Sequence, residues 1–311
     1  MSVINTNISA LIGLNNLRNT GLGLQTSLER LSSGLRINKG ADDPSGLAIA
    51  KHMEAQINGI RMATQNGEDG INLIHTADGS LAETHDILMR MRDITVRAAN
   101  QATLTSGDLT RLNKEFVALT AELQRKSQAV TFNNKVLFSG GFSAGQVLQI
   151  GPDNGLNHRL TIYIGAMTLT GLNLVSSPAT VNETWGGQTL TLPDGTTINN
   201  VIGFASGVAG SYTIADSISY AMKAIDAVNS AINIVSDARA FLGIQERRIG
   251  HIIDDLKAED INISAAKSRI WDADMATEIS DFTRLQILQQ SGTAILAQAN
   301  AQPQSVLQLL K

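Results

Sequence analysis

The five histidines, His52, His75, His85, His158 and His251, have the widest chemical range of any side chains in this 311-residue sequence. A zinc site on a helix needs two histidines one turn apart with a glutamate between them. His251 is instead followed by Ile252, Ile253, Asp254 and Asp255, and the other four are scattered. They read as surface or seam side chains. Asp272-Ala273-Asp274 could open a calcium loop, yet the third acidic position, the glycine and the distal glutamate do not follow. The two aspartates read as the cap and acidic first turn of a helix. The stretch from Gly203 to Gly210 is glycine-rich but lacks the Gly-Lys-Ser/Thr of a phosphate loop, and reads as a flexible connection. No serine is read as the nucleophile of a Gly-x-Ser-x-Gly elbow. The absence of cysteine removes disulfides, thiolate metal sites and thiol nucleophiles. Asn7-Ile8-Ser9, Asn182-Glu183-Thr184 and Asn262-Ile263-Ser264 fit the glycosylation sequon, two of them inside helical pattern, and read as chance matches. The expectation is a non-enzyme with no catalytic residues, no metal and no cofactor.

Composition narrows the partners. With 24 basic against 28 acidic residues and a net charge of −4, the chain has no basic stripe for nucleic acid. No apolar run approaches the length of a membrane span, so membrane insertion is not expected. Met1-Ser2-Val3-Ile4-Asn5-Thr6-Asn7 has neither a basic nor a continuous apolar segment, so any export should not use a cleaved signal. Apolar residues reach 43 % and aromatics only 4 %, so the core must be built from aliphatic side chains and alanine.

The elements that carry these residues follow from hydrophobic period. Ile4, Ile8 and Leu11, then Leu24, Leu28, Leu31 and Leu35, have helical spacing, the last four in a 4-3-4 step. Asp42-Asp43-Pro44 starts the next helix, which carries Met53, Ile57, Ile60, Ile71, Ile74, Leu81, Leu88 and Met91. Asn100 to Gly107 reads as a turn before a third helix with Leu109, Phe116 and Leu123. Texture changes from Phe132 to about Tyr212. Two hairpins are predicted there, Gln146–Ile150 with Leu160–Ile164, and Gln188–Leu192 with Thr196–Ile198. Helical period then returns with Val228, Val235, Leu242, Ile249 and Leu256 seven apart. Ile225, Ile232 and Ile253 form a companion row that Arg239 and Glu246 interrupt. A last helix from about Ala273 to Ala301 carries Ile279, Phe282, Leu285, Gly292, Ile295 and Ala299, and Pro303 is expected to end it. The fold class is mainly α: a long antiparallel bundle or coiled coil folded as a hairpin, with a small β region and short β insert in the middle.

The two end helices have narrow apolar stripes, few charges and much Asn, Gln, Ser and Thr. They could fold back on the central bundle, or stay loose until identical neighbours supply the missing surface. Pattern alone leaves both open.

The same ends carry a resemblance. Val3-Ile4-Asn5-Thr6-Asn7, Leu31-Ser32-Ser33-Gly34-Leu35-Arg36-Ile37-Asn38 and Asp42-Asp43-Pro44-Ser45-Gly46-Leu47-Ala48-Ile49-Ala50 resemble the start of bacterial flagellin. Ala265-Ala266-Lys267-Ser268-Arg269-Ile270, Ala276-Thr277-Glu278, Gln286-Ile287-Leu288-Gln289-Gln290-Ser291-Gly292 and Leu296-Ala297-Gln298-Ala299-Asn300 resemble its end, as do Pro303-Gln304 and Val306-Leu307. The similarity covers about residues 1–140 and 215–311 in order. Between them it lapses, where the family varies most, so the large outer domains of longer members are absent or reduced here.

The resemblance implies a subunit exported unfolded through a narrow channel that polymerises into the extracellular flagellar filament used for swimming. Residues 1–43 and 268–311 would form the inner core, disordered in the free subunit. Residues 44–175 and 211–267 would form the outer tube, and 176–210 a variable surface insert. Core packing would fall to Ile4, Ile8, Leu11, Leu24, Leu28, Leu31, Leu35, Ile279, Phe282, Leu285, Ile295 and Leu296. Implied partners are further copies of the chain, an export chaperone at the C-terminal helix, and the filament cap and hook-junction proteins. Leu88 to Arg97 also resembles the segment by which many flagellins engage a host innate immune receptor: Arg90 matches, Ile94 stands in place of a usual Leu, and Glu115 falls where the family often has Glu. Thr95 and Arg97 depart from that pattern. The alternatives are a hook–filament junction protein of the same export class, or a secreted coiled-coil adhesin or effector.

Overall fold

A computed structural model describes residues 7–100, 102–174, 188–191, 197–201 and 214–309. In chain order, α1 is Ile8–Ser33, α2 Pro44–Ala98 and α3 Ser106–Ala129. Six short strands follow: β1 Thr131–Phe132, β2 Lys135–Val136, β3 Gln146–Gln149, β4 Arg159–Ile162, β5 Gln188–Thr191 and β6 Thr197–Val201. Two further helices, α4 Ile214–Trp271 and α5 Met275–Leu309, complete the order. The contacts divide the chain into two units, residues 1–59 with 258–311, and residues 60–257. The predicted connection from Gly203 to Gly210, most of the 176–210 insert and the sequon at Asn182 lie outside the described residues.

In the unit of residues 60–257, α2 and α4 run antiparallel, α3 lies beside α2, and the β3–β4 hairpin packs on α2 around Gly70. The seam of α2 passes through Ile60, Gly67, Ile74, Leu81, Leu88 and Met91, all buried. Opposite it, Val228, Val235, Leu242 and Ile249 are buried as predicted. The companion row differs from the expectation. Ala224, Ala231 and Gln245 fill it, while Ile225 and Ile232 are half-buried. Alanine at these steps lets two helix backbones approach closely, which an isoleucine row would prevent. Arg239 and Glu246 therefore do not interrupt the seam but border it. Arg239 Nε donates to Asp78 Oδ1 at 2.8 Å, and His75 Nε2 lies 2.9 Å from Glu246 Oε1. The Asp78 contact also raises the Arg239 pKa.

Local chemistry fixes the joints. Asp43 Oδ1 accepts from the amides of Ser45 and Gly46 at 3.1 and 2.9 Å, so it caps α2 ahead of Pro44. Thr105 and Asp108 form a reciprocal capping box on α3. Asn133 and Asn134 take the left-handed conformation, φ 47° and 63°, that a two-residue turn between β1 and β2 requires. β3 and β4 pair antiparallel from Gln146↔Ile162 to Gln149↔Arg159, and β5 pairs with β6. Contrary to the sequence reading, Gly141-Phe142-Ser143-Ala144-Gly145 does carry the letters of the nucleophile elbow. An elbow joins a strand to a helix. This turn leads into β3, and Ser143 Oγ donates to the Gly140 carbonyl, so the letters mark a hairpin entry.

Candidate assembly surface

The unit of residues 1–59 and 258–311 is built differently. α1 and α5 pair antiparallel through a heptad-like seam, but the α1 side of it is Ala10, Gly13, Leu17, Thr20, Leu24, Ser27 and Leu31. Across it lie Glu278, Phe282, Leu285, Gln289, Gly292, Leu296 and Ala299. The glycines act as holes for leucines. A Cβ on Gly13 would lie 3.5 Å from Leu296 Cδ1, one on Gly23 3.4 Å from Leu285 Cδ2, and one on Gly292 3.2 Å from Leu17 Cδ1. Ser27 is the one buried residue of α1, and its Oγ donates to the Glu278 carbonyl. Small residues let the pair close while covering little apolar surface.

The remaining large aliphatic residues of the two helices face outward. On α1, Ile8, Leu11, Ile12, Leu14, Leu22 and Leu28 are 48–61 % exposed. On α5, Ile279, Ile287, Leu288 and Ile295 are 50–64 % exposed. Of the core-packing residues expected from the sequence, Leu24, Leu31, Phe282, Leu285 and Leu296 lie half-buried in the α1–α5 seam. Ile8, Leu11, Leu28, Ile279 and Ile295 point away from it, Leu35 is half-buried beside Gly34, and Ile4 lies outside the described residues. The outward set missing from the sequence reading, Ile12, Leu14, Leu22, Ile287 and Leu288, could have been found by subtracting the small-residue seam from the apolar total.

The end of this pair where α1 stops and α5 starts is tied down. Gly34, at φ 70°, ends α1 in the left-handed conformation that glycine adopts without strain. Asp274 caps α5: its Oδ1 accepts from the amides of Ala276 and Thr277, and Thr277 Oγ1 donates to its Oδ2. These hydrogen bonds, the Thr277 amide foremost, hold the Asp274 carboxyl below its ordinary value. The two joints are themselves bonded. Arg36 N donates to the Trp271 carbonyl at 2.7 Å, and Ala273 N to the Gly34 carbonyl at 2.9 Å. Beside them the Lys51 and Lys267 ammonium groups lie 4.6 and 5.0 Å from the Trp271 ring centroid. Pro303 does not end the last helix, as the sequence suggested; α5 runs on to Leu309.

In the other unit, Arg90 Nε and Nη2 both donate to Glu115 Oε1, at 2.9 and 2.6 Å, on the surface. Ile94 is only 2 % exposed and belongs to the core. Among the described residues no group of three or more His, Asp or Glu side chains is placed to hold a metal ion, and no helix is long and apolar enough to cross a membrane.

Two ends that pair through a thin mixed seam and leave a second set of aliphatic side chains bare fit a self-assembling structural subunit. The family model described as the bacterial flagellin N-terminal helical region matches residues 4–143, and that of the C-terminal helical region matches residues 225–310. A flagellin of Bacillus subtilis (strain 168) is 41 % identical over 99 % of both chains. Another, from Halalkalibacterium halodurans, is 38 % identical over 99 % of this chain and 100 % of its own. The crystal structure of Bacillus cereus flagellin matches at TM-score 0.43 and 21 % identity, covering 65 % of this chain and 94 % of its own. This chain belongs to the bacterial flagellin family. It is a structural subunit of the extracellular flagellar filament and not an enzyme, and nothing favours the hook-junction, adhesin or effector alternatives.

Proposed function

We propose that residues 1–43 and 268–311 form the inner core of the filament, that 44–175 and 211–267 form its outer tube, and that 176–210 is a surface insert. The observation that carries this reading is the outward apolar face of α1 and α5. Burying one Leu or Ile is worth roughly 1.5–3 kcal/mol, and in a helical polymer every added subunit covers the faces of its neighbours. In the free subunit the α1–α5 pair has only this single seam, thinned by glycine, serine and threonine, so these ends order on assembly and the chain travels to the filament tip unfolded. The same bare face of α5 is what an export chaperone covers before assembly, and what cap and hook-junction proteins meet at the two filament ends. Limited proteolysis tests the reading. Dilute monomer should be trimmed to a centre of roughly residues 45–265, and filaments should be protected along both ends. Uniform resistance of the monomer would overturn it.

A second reading concerns the host receptor. Arg90 and Glu115 are surface-exposed and joined, so they are the contact residues of the resembling segment, and Ile94 supports them from beneath. Arg90→Ala with Glu115→Ala should abolish signalling in receptor-bearing reporter cells without changing monomer melting. Unchanged signalling would leave this face to subunit packing.

A further inference from the structure

The continuation of α5 through Pro303 leaves one backbone group without its helical donor. In an α-helix the carbonyl of residue i accepts from the amide of residue i+4. For Ala299 that residue is Pro303, which has no amide hydrogen. The donor comes from the other end of the chain: Asn7 Nδ2 lies 2.8 Å from the Ala299 carbonyl oxygen. The same side chain caps α1, its Oδ1 accepting from Ala10 N at 3.1 Å. These two partners fix the amide's orientation, because an N–H faces one side and a C=O the other. Asparagine suits this position because its short side chain offers a donor and an acceptor at once; aspartate offers acceptors only.

We infer that Asn7 is a clasp between the chain ends, completing the start of α1 and the proline-interrupted turn of α5 with one side chain. The Ala299 carbonyl has its donor only when the two ends meet, and the Asn7 side chain is oriented for both bonds only then, so ordering of the start of α1 and of the last turns of α5 is one event. Pro303 is then a functional element: it reserves the Ala299 carbonyl for Asn7 and makes α5 incomplete without α1.

A double-mutant cycle on the full chain tests this, with the critical concentration for polymerisation read by sedimentation. Asn7→Asp keeps the cap on Ala10 but removes the donor and turns an oxygen toward the carbonyl. It should raise the critical concentration about tenfold. Pro303→Ala restores an amide at position 303, and in that background Asn7→Asp should cost no more than about twofold. Thr293→Ala, which strengthens α5 at an exposed position away from the clasp, should give no such relief. An Asn7→Asp effect that is equal in both backgrounds, absent in both, or relieved as well by Thr293→Ala would overturn the inference. The inference rests on the paired ends entering the filament core. Charges on Ile12 and Ile295 test that reading separately, because they leave the clasp untouched.

Discussion

The α1–α5 pair and the α2–α4 seam use the same alternating three- and four-residue spacing to opposite ends. In the central seam that spacing gathers Ile74, Leu81, Leu88, Val228, Val235 and Leu242, all buried, with Phe116 and Phe138 completing the core. In the terminal pair it gathers Gly13, Thr20, Ser27 and Gly292 between half-buried Leu17, Leu24, Leu285 and Leu296, and leaves Ile8, Ile12 and Ile295 bare. A seam of large residues makes a unit that stands alone. A seam thinned by small residues leaves further large side chains exposed, the surface proposed above for contacts with other copies. The teaching is that burial within one chain and burial within an assembly compete for the same side chains.

The comparison breaks most severely at the outward face. Ile12→Asp with Ile295→Asp would place unpaired charges in every subunit contact, at several kcal/mol each. Sedimentation should show no filaments, while circular dichroism melting of the monomer stays as in the wild type. A loss of monomer stability would mean that those side chains serve the single chain after all. Phe116→Ala is the converse: a core cavity costing about 3–5 kcal/mol should lower monomer melting. The exposed apolar faces proposed to bind neighbours are left unaltered. Smaller again are paired tests of the glycine holes. Gly67→Val must displace Ile253, whose Cγ1 would lie 2.9 Å from a new Cβ, and should destabilise the monomer by about 1–3 kcal/mol. Gly23→Val, set against Leu285, should leave monomer melting alone and lower only the filament's dissociation temperature.

The weakest effect expected is in acid. Asp108 and Asp274 cap α3 and α5, and their hydrogen bonds lower both carboxyls from the ordinary value of 3.8. A lowered folded-state pKa means that each stabilises its helix fully above pH 3.8 and progressively less below it. Asp274→Asn should therefore blunt the acid sensitivity of filaments but not of the monomer, and Asp108→Asn the reverse. Titrations that moved together would show that the two regions do not melt apart.

The sequence made the helices, the β3–β4 and β5–β6 hairpins and the caps legible, because period, turn residues and cap chemistry are local. It could not say which apolar residues face inward. Leu24, Leu28, Leu31 and Leu35 look like one stripe, yet Ser27 takes the inner place and Leu28 points out. Ile225 and Ile232 look like better seam residues than Ala224 and Ala231 for the same reason. Hydropathy measures how much a side chain gains from leaving water and is silent on whose surface covers it. Pro303 misled in another way: a missing amide ends a helix only where no other donor reaches the freed carbonyl, and Asn7 is 292 positions away in sequence.

The bonded joints at Gly34–Arg36 and Trp271–Ala273 have a mechanical consequence. A filament turned at its base carries torque along every subunit, and a lone polypeptide crossover would be a swivel. Here two crossovers are pinned to each other, with the Arg36 guanidinium adding a third tie to the Ile270 carbonyl at 2.6 Å. Each of the three bonds would have to break before either crossover could rotate without the other, so the pinned pair opposes the free spinning that a single strand would allow.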